Sequence, residues 1–278
     1  MIKIFVDSGS SIKTEEAAAL GVEILPLKIR IGCREYLDGV DLGFAEFYKA
    51  LIEEKQFPAT SLPELGDVRA RVKKYTDRGD SVIIITISSG ISGTYNAISG
   101  FFKDDPKVRV VDSRTAVGGV RILAMEALKH LDEDVDTVVD ILCSLVPRIR
   151  VVAIPDTLEY LHRGGRLSRA AWVFGSILQL KPLIGINSVT DGKVFVISKE
   201  RGKRNAMIAI NKYLADNNCD VSYPIVPSFT YDAANLDKLV EMTDTRYHGA
   251  MIAYDELDPA ISCHWGPGAF GYIFVSGK

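Results

Sequence analysis

Val82–Ile87 reads VIIITI, and the next eight residues, Ser88–Tyr95, read SSGISGTY. A run of β-branched apolar residues thus breaks into a small polar loop, and an apolar helical pattern resumes through Ile98. Six residues are too few for a membrane span. An unbroken apolar run of this length predicts a strand buried on both faces, as in a parallel sheet covered by helices. In such sheets ligands sit at the carboxyl ends of the strands, where the following helix presents unpaired N–H groups. Glycines there admit a ligand to the backbone, and hydroxyls supply adjustable donors. With the positive end of the helix dipole, the loop suits an anion such as a phosphate or carboxylate.

Sharper readings of the loop fail on residue type. No lysine follows the glycines, as a Walker phosphate loop requires. Gly93 directly follows Ser92, which breaks the G-x-S-x-G hydrolase elbow. Spacing assigns none of the four histidines, at 130, 162, 248 and 264, to Ser92 as a base. A capped helix start with nothing bound is the competing reading.

Around this junction the first half alternates strand and helix signals. Lys3–Asp7, Glu23–Ile31, Val82–Ile87 and Val108–Asp112 read as strands; Thr14–Leu20, Phe44–Glu53, Val68–Tyr75, Ala116–Leu131 and Val135–Leu145 read as helices. Gly32–Asp41 carries turn chemistry and predicts a hairpin excursion. The fold class is α/β, a mostly parallel sheet flanked by helices in residues 1–155, followed by an α+β domain in residues 156–278, with Pro155 as the break after a strand at Val151–Ile154. In the second part a helix is predicted over Arg169–Leu180, a hairpin over Leu183–Ser198 turned at Asp191-Gly192, a helix over Arg201–Asp216, a strand near Val221–Val226, a helix over Asn235–Thr243 and a terminal strand at Gly271–Val275.

A chain of 278 residues is comfortable for two cores. Hydrophobic residues make up 47%, charged residues 25%, and the net charge is -3. No basic field exists to drive non-specific nucleic-acid binding. The start, MIKIFVDSGSS, runs straight into a strand and lacks the zones of a secretory signal, and no apolar run approaches the length of a bilayer span. Cys33, Cys143, Cys219 and Cys263 are scattered, which argues against structural zinc or a disulfide framework and fits reduced thiols in the cytoplasm.

Three further stretches carry polar chemistry. FPATSLPE (Phe57–Glu64) sets Thr60 and Ser61 between two prolines; spacing alone favours a rigid connector with Ser61 as a cap, and the alternative is a pair of hydroxyls held still for a ligand. Between Glu159 and Arg204 nine basic residues face three acidic ones; residue by residue a solvated surface is the commoner reading, and the alternative is a docking face for an acidic partner or a phosphate-bearing substrate, with Arg201 beside Gly202 at a helix start as its test residue. SCHWGPG (Ser262–Gly268) puts His264 just ahead of a Gly-Pro-Gly turn; a lone histidine is more often packed than catalytic, and no second ligand at metal spacing accompanies it.

Taken together these stretches resemble the DegV family of bacterial fatty-acid-binding proteins. The likeness runs through VDSGSSI, PLKIRIG and EYLDGVDL, then ATSLP, ISSGISGTY, VDS (Val111–Ser113), DTLEYLHRGGRLS, LKPLIGI, KERGK (Lys199–Lys203) and HWGPG, in order over essentially the whole chain. The resemblance implies a two-domain protein enclosing one long-chain fatty acid between its domains. Thr60, with Ser61 beside it, Ser92 and the Gly93 N–H would hold the carboxylate, with His264 close by. It further implies an acyl carrier without catalytic residues, cofactor or metal of its own, which presents the carboxylate to a separate ATP-dependent fatty acid kinase subunit, docked near Arg201, for acyl-phosphate formation and phospholipid synthesis. The chain departs from the family pattern at Leu62, Glu64 and Trp265, and near Ala116 and Val117, where a serine is common. The rival reading is an enzyme acting on a small anionic or acyl substrate through Ser92 or His264.

Overall fold

Val82, Ile83, Ile84 and Ile85 are all fully buried, with apolar clusters on both sides of their strand. Each such side chain contributes about 1.5–3 kcal/mol by leaving water, so this run anchors the first sheet. In the computed structural model, which describes residues 1–169, 180–253 and 255–277, the strand is β6 (Ser81–Thr86). It pairs in parallel with β1 (Ile2–Asp7) and β7 (Val108–Asp112), and β1 pairs in parallel with β2 (Glu23–Leu25), giving the order β2-β1-β6-β7. The chain leaves β1 toward β2 on one side and returns to β6 on the other. The switch point therefore lies between β1 and β6, where the loops after both strands open a crevice.

Helices α1 (Thr14–Leu20), α3 (Leu65–Thr76) and α4 (Thr94–Phe101) make the crossovers, α5 (Gly118–Ala127) and α6 (Val135–Leu145) lead from β7 into the second sheet, and α2 (Phe44–Tyr48) continues as a π-helical stretch through Glu53. Helix α5 buries Val120, Ile122, Leu123 and Ala124. Its apolar face meets the same cluster as Ile83 and Ile85 of the first sheet and Val151, Ile184 and Ile273 of the second, so it lies in the layer between the two sheets. Gly118 makes the approach possible, because a Cβ there would sit 2.7 Å from the Val226 side chain.

The second sheet has the order β10-β9-β8-β13-β11-β12, from β8 (Ile149–Ile154), β9 (Leu180–Ile186), β10 (Val194–Arg201), β11 (Val226–Phe229), β12 (Asp255–Glu256) and β13 (Phe270–Val275). All pairs are antiparallel except β11 with β12. Strand β8 precedes Pro155 in sequence yet sits inside this sheet, between β9 and β13. Helices α7 (Glu159–Arg163), α8 (Gly202–Asp216), α9 (Ala234–Met242) and α10 (Pro259–Trp265) accompany it. The apolar helix expected over Arg169–Leu180 falls largely on residues 170–179, outside the described residues.

Two expectations are corrected. Glu23–Ile31 is not one strand: Pro26 separates β2 from β3 (Lys28–Ile31), which leaves the parallel sheet and pairs with β4 (Arg34–Leu37) and β5 (Ala59–Ser61) in a small antiparallel sheet. The strand expected near Val221–Val226 begins only at Val226, after Pro224. Among the described residues no helix is long and apolar enough to cross a membrane.

Candidate functional site

The carboxyl ends of β1 and β6 are tied together by Asp7. Its buried carboxylate accepts hydrogen bonds from the Gly9 N–H (3.0 Å) and the Ile87 N–H (2.8 Å). Burial pushes the Asp7 carboxyl up to about 7, against those two N–H groups, which favour its charged form. From this knot the loop after β6 turns toward the second sheet. A Cβ on Gly90 would lie 2.4 Å from the Asp191 carbonyl oxygen, so glycine lets the loop dock on the turn between β9 and β10.

Beyond that contact lies a cavity of about 280 Å³. The first sheet's loops supply Ile87, Ile91, Ser92, Gly93 and Ala116; the small sheet and its flanks supply Leu27, Thr60, Ser61 and Leu62; the second sheet supplies Ile186 and Val194. Leu161 of α7, Arg166, and Ala260, Ile261, His264 and Trp265 of α10 line it as well. The structure thus brings Thr60, Ser61, Ser92, Gly93 and His264, predicted from scattered motifs, to one enclosure. Arg201 is not among them: it is exposed at the end of β10, where α8 begins.

Local structure accounts for each polar group. The connector expected between Pro58 and Pro63 is instead strand β5, whose Thr60 pairs with Ile29. Period-two alternation leaves Ala59 and Ser61 exposed and turns Thr60 inward. Ser92 precedes α4; its Oγ accepts from the Thr94 N–H (3.2 Å) and is hydrogen-bonded to Thr94 Oγ1 (2.8 Å). The Gly93 N–H has no hydrogen-bond partner among the described residues. His264 lies on helix α10 rather than in a turn; Asp258 precedes the helix and Pro259 opens it, the position where a missing N–H does no harm.

The imidazole of His264 is the hinge of the polar end. Its Nε2 lies 2.7 Å from Thr60 Oγ1, while its Nδ1 is buried without a hydrogen-bond partner. Nδ1 faces Gly164, where a Cβ would come within 2.3 Å of it. A buried N–H left without an acceptor is the rarer situation in proteins, which assigns the proton to Nε2. Nε2–H then donates to Thr60, and the Thr60 O–H is free to donate into the cavity.

Arg166, one cation among nine in its stretch of sequence, lines the cavity. Its Nε donates to the Ile91 carbonyl (2.9 Å) and its Nη1 to the Gly164 carbonyl, which fixes a full positive charge in the wall. The RGGR run, Arg163–Arg166, was the available signal: the chain must turn sharply there, and Gly165 does so at φ +75°.

Burial, helped by the charge of Arg166, pushes His264 down to about 3. An ordinary histidine in the unfolded chain titrates near 6.5. The neutral ring therefore stabilises the fold fully above about pH 6.5, and that contribution is lost as pH falls toward 3. The stability advantage of the native protein over His264→Gln, from urea unfolding at a series of pH values, should be constant above pH 7 and shrink steadily below pH 6. An advantage that does not change across that range would contradict the burial of a neutral ring.

The likeness to known proteins extends over the whole chain. The family described as "Uncharacterised protein, DegV family" matches residues 1–277. A DegV domain-containing protein of Caldanaerobacter subterraneus subsp. tengcongensis is 31% identical over 278 residues, covering 98% of each chain. One from Clostridium acetobutylicum is 28% identical over 281 residues, again with 98% of each covered. Among solved structures, a DegV family protein from Thermus thermophilus, described for its fatty acid binding, superposes with a TM-score of 0.86 at 26% identity, covering 99% of both chains. A DegV lipid-binding protein from Thermotoga maritima gives 0.84 at 25% identity, covering 100% of this chain and 99% of the other. On fold, on sequence and on the extent of both, the chain belongs to the DegV family.

Proposed function

We propose that the cavity holds one long-chain fatty acid, with the carboxylate at the Thr60, Ser61, Ser92 and Gly93 end and the acyl chain along the apolar wall. The observation that carries this reading is one cavity lined both by the hydrogen-bond donors of Thr60, Ser61, Ser92 and Gly93 and by the apolar Leu27, Ala116, Leu161, Ile186 and Ile261. The Gly93 N–H, the Ser92 hydroxyl and the Thr60 hydroxyl can each donate to a carboxylate, and Arg166 supplies positive charge. Each buried methylene contributes about 0.8 kcal/mol, so the tail supplies most of the affinity and the donors fix the head. The fatty acid and lipid binding described for the Thermus and Thermotoga proteins agrees with this assignment.

In this reading the chain is a carrier. A separate ATP-dependent kinase subunit, docking near Arg201, phosphorylates the bound carboxylate to an acyl-phosphate for phospholipid synthesis. The pairing expected of a serine nucleophile is not the one observed, since Ser92 Oγ engages Thr94 and His264 Nε2 engages Thr60. Extraction of the purified protein with organic solvent, followed by mass spectrometry, tests the ligand class directly: one long-chain fatty acid per chain is expected, and refusal of offered fatty acids would end the proposal. In titrations, Ser92→Ala should weaken fatty-acid binding roughly 10- to 150-fold, the equivalent of one charge-assisted hydrogen bond of about 1.5–3 kcal/mol. Unchanged affinity would remove Ser92 from the head-group site.

A further inference from the structure

The helix that carries His264 is gripped at its other end by side chains from the first half of the chain. Asp38 lies in the turn after β4 and is 1% exposed. Its own N–H donates to the Leu27 carbonyl (2.9 Å), which ties the turn to a residue of the cavity wall. Its Oδ1 accepts from the Ala260 N–H at 3.0 Å, across 222 residues of sequence. Pro259 has no N–H, and the N–H groups of Ile261 and Ser262 already donate to the Asp258 carbonyl (3.0 and 2.9 Å). Asp38 therefore takes the one first-turn donor of α10 that its own turn leaves over. Beside it, Lys13 Nζ donates to Asp258 Oδ1 (2.6 Å) and to the Glu256 carbonyl (2.7 Å), which holds the residues leading into the helix.

From Ala260 to His264 is four residues, roughly 6 Å along a helix at 1.5 Å per residue. A two-turn helix moves as a unit, so a displacement at its start is passed on to the His264 ring and lengthens or misaligns its 2.7 Å contact with Thr60. We propose that Asp38, assisted by Lys13, is a positioning residue for the fatty-acid head group: it sets the seat of helix α10 and through it the place of the His264 ring against Thr60. This rests on the fatty-acid reading above. Asp38 is not among the residues that line the cavity, so its effect on binding must pass through the helix.

A double-mutant cycle tests the proposal, with oleate affinity measured for native protein, Asp38→Ala, His264→Ala and the double variant. Asp38→Ala is expected to weaken binding at least tenfold when His264 is present and less than twofold when it is absent, because the positioned ring is then gone. Asp38→Asn, whose amide oxygen still accepts from Ala260, should restore affinity to within about threefold of native. Should Asp38→Ala fail to fold, Asp38→Glu, which carries the acceptor one methylene too far, replaces it in the same cycle with the same expectation. An equal loss with and without His264 would overturn the positioning role while leaving the fatty-acid site intact. The imidazole 15N signals of His264, recorded without any ligand, supply a second readout: loss of the Nε2–H hydrogen bond in Asp38→Ala is expected, and an unchanged signal would also overturn it. Native protein that does not bind oleate refutes the fatty-acid reading instead, and the ligand-free signals still decide whether Asp38 positions the ring.

Discussion

Gly164→Ala is expected to dislodge His264 and to destabilise the protein by about 1–3 kcal/mol, the usual range for overpacking a filled site. The backbone does not require glycine here, since Gly164 has φ -70° and ψ -8°, an ordinary right-handed conformation. The ring requires it. An added Cβ would stand 2.3 Å from His264 Nδ1 and 2.9 Å from its Cε1, with the Tyr160 carbonyl at 3.1 Å closing the other direction. The imidazole cannot retreat without giving up Thr60, and helix α10 is held at its start by Asp38 and Lys13. Loss of the Thr60 contact should also weaken fatty-acid binding at least tenfold. Removing the ring makes room for the methyl, so in a His264→Ala background the same Gly164→Ala change should alter stability by less than about 0.5 kcal/mol. Chemical denaturation of the four proteins decides it: an equal cost in both backgrounds would mean that something other than the histidine ring keeps position 164 small.

Ile261→Asp should abolish fatty-acid binding, by at least a thousandfold, while leaving a folded protein. Ile261 is 6% exposed and stands in the cavity wall on α10, three residues before His264. A carboxylate there meets the acyl chain with no cation among the described lining residues except Arg166, which is already engaged with the Ile91 and Gly164 carbonyls. Desolvating a charge against hydrocarbon costs several kcal/mol even after relaxation, and each 1.4 kcal/mol is tenfold in affinity. The empty cavity can hydrate the new carboxylate, so the unliganded fold loses mainly the buried Ile side chain, about 1.5–3 kcal/mol. Ile261→Ala separates the two effects, because it removes contact area without adding charge and should cost no more than about one to two orders of magnitude in affinity. Isothermal titration with a long-chain fatty acid reads both variants. Near-native affinity in Ile261→Asp would place the acyl chain elsewhere.

Much of the first sheet was legible because its strands are short, rich in β-branched apolar residues and separated by whole helices. β7 and α6 occur at their predicted limits, Val108–Asp112 and Val135–Leu145, and α1 at Thr14–Leu20. Local pattern decides such elements, since a period of two or 3.6 is visible within the segment itself. The errors fall where pairing is remote. Strand β5 has three residues, two of them exposed, and exists because Thr60 and its neighbours pair with β3 some thirty positions earlier; nothing in FPATSLPE announces that partner. Of helix α10 the HWGPG motif shows only the turn that stops it, although the Asp258-Pro259 pair at its other end is a helix-start signal.

The candidate site divides along the same line. Residue types in order along the chain determined the fold class, the strand–loop–helix junction bearing Ser92 and Gly93, and, through the run of DegV motifs, the family and the candidacy of Thr60 and His264. Only the tertiary structure decided that Thr60 meets His264, that Arg166 lines the cavity, that Gly164 packs against the His264 ring, and that Asp38 reaches Ala260. Hydrogen bonds and close packing act over about 3–4 Å whatever the sequence separation, so contacts between residues one or two hundred positions apart leave no periodic trace in the chain that forms them.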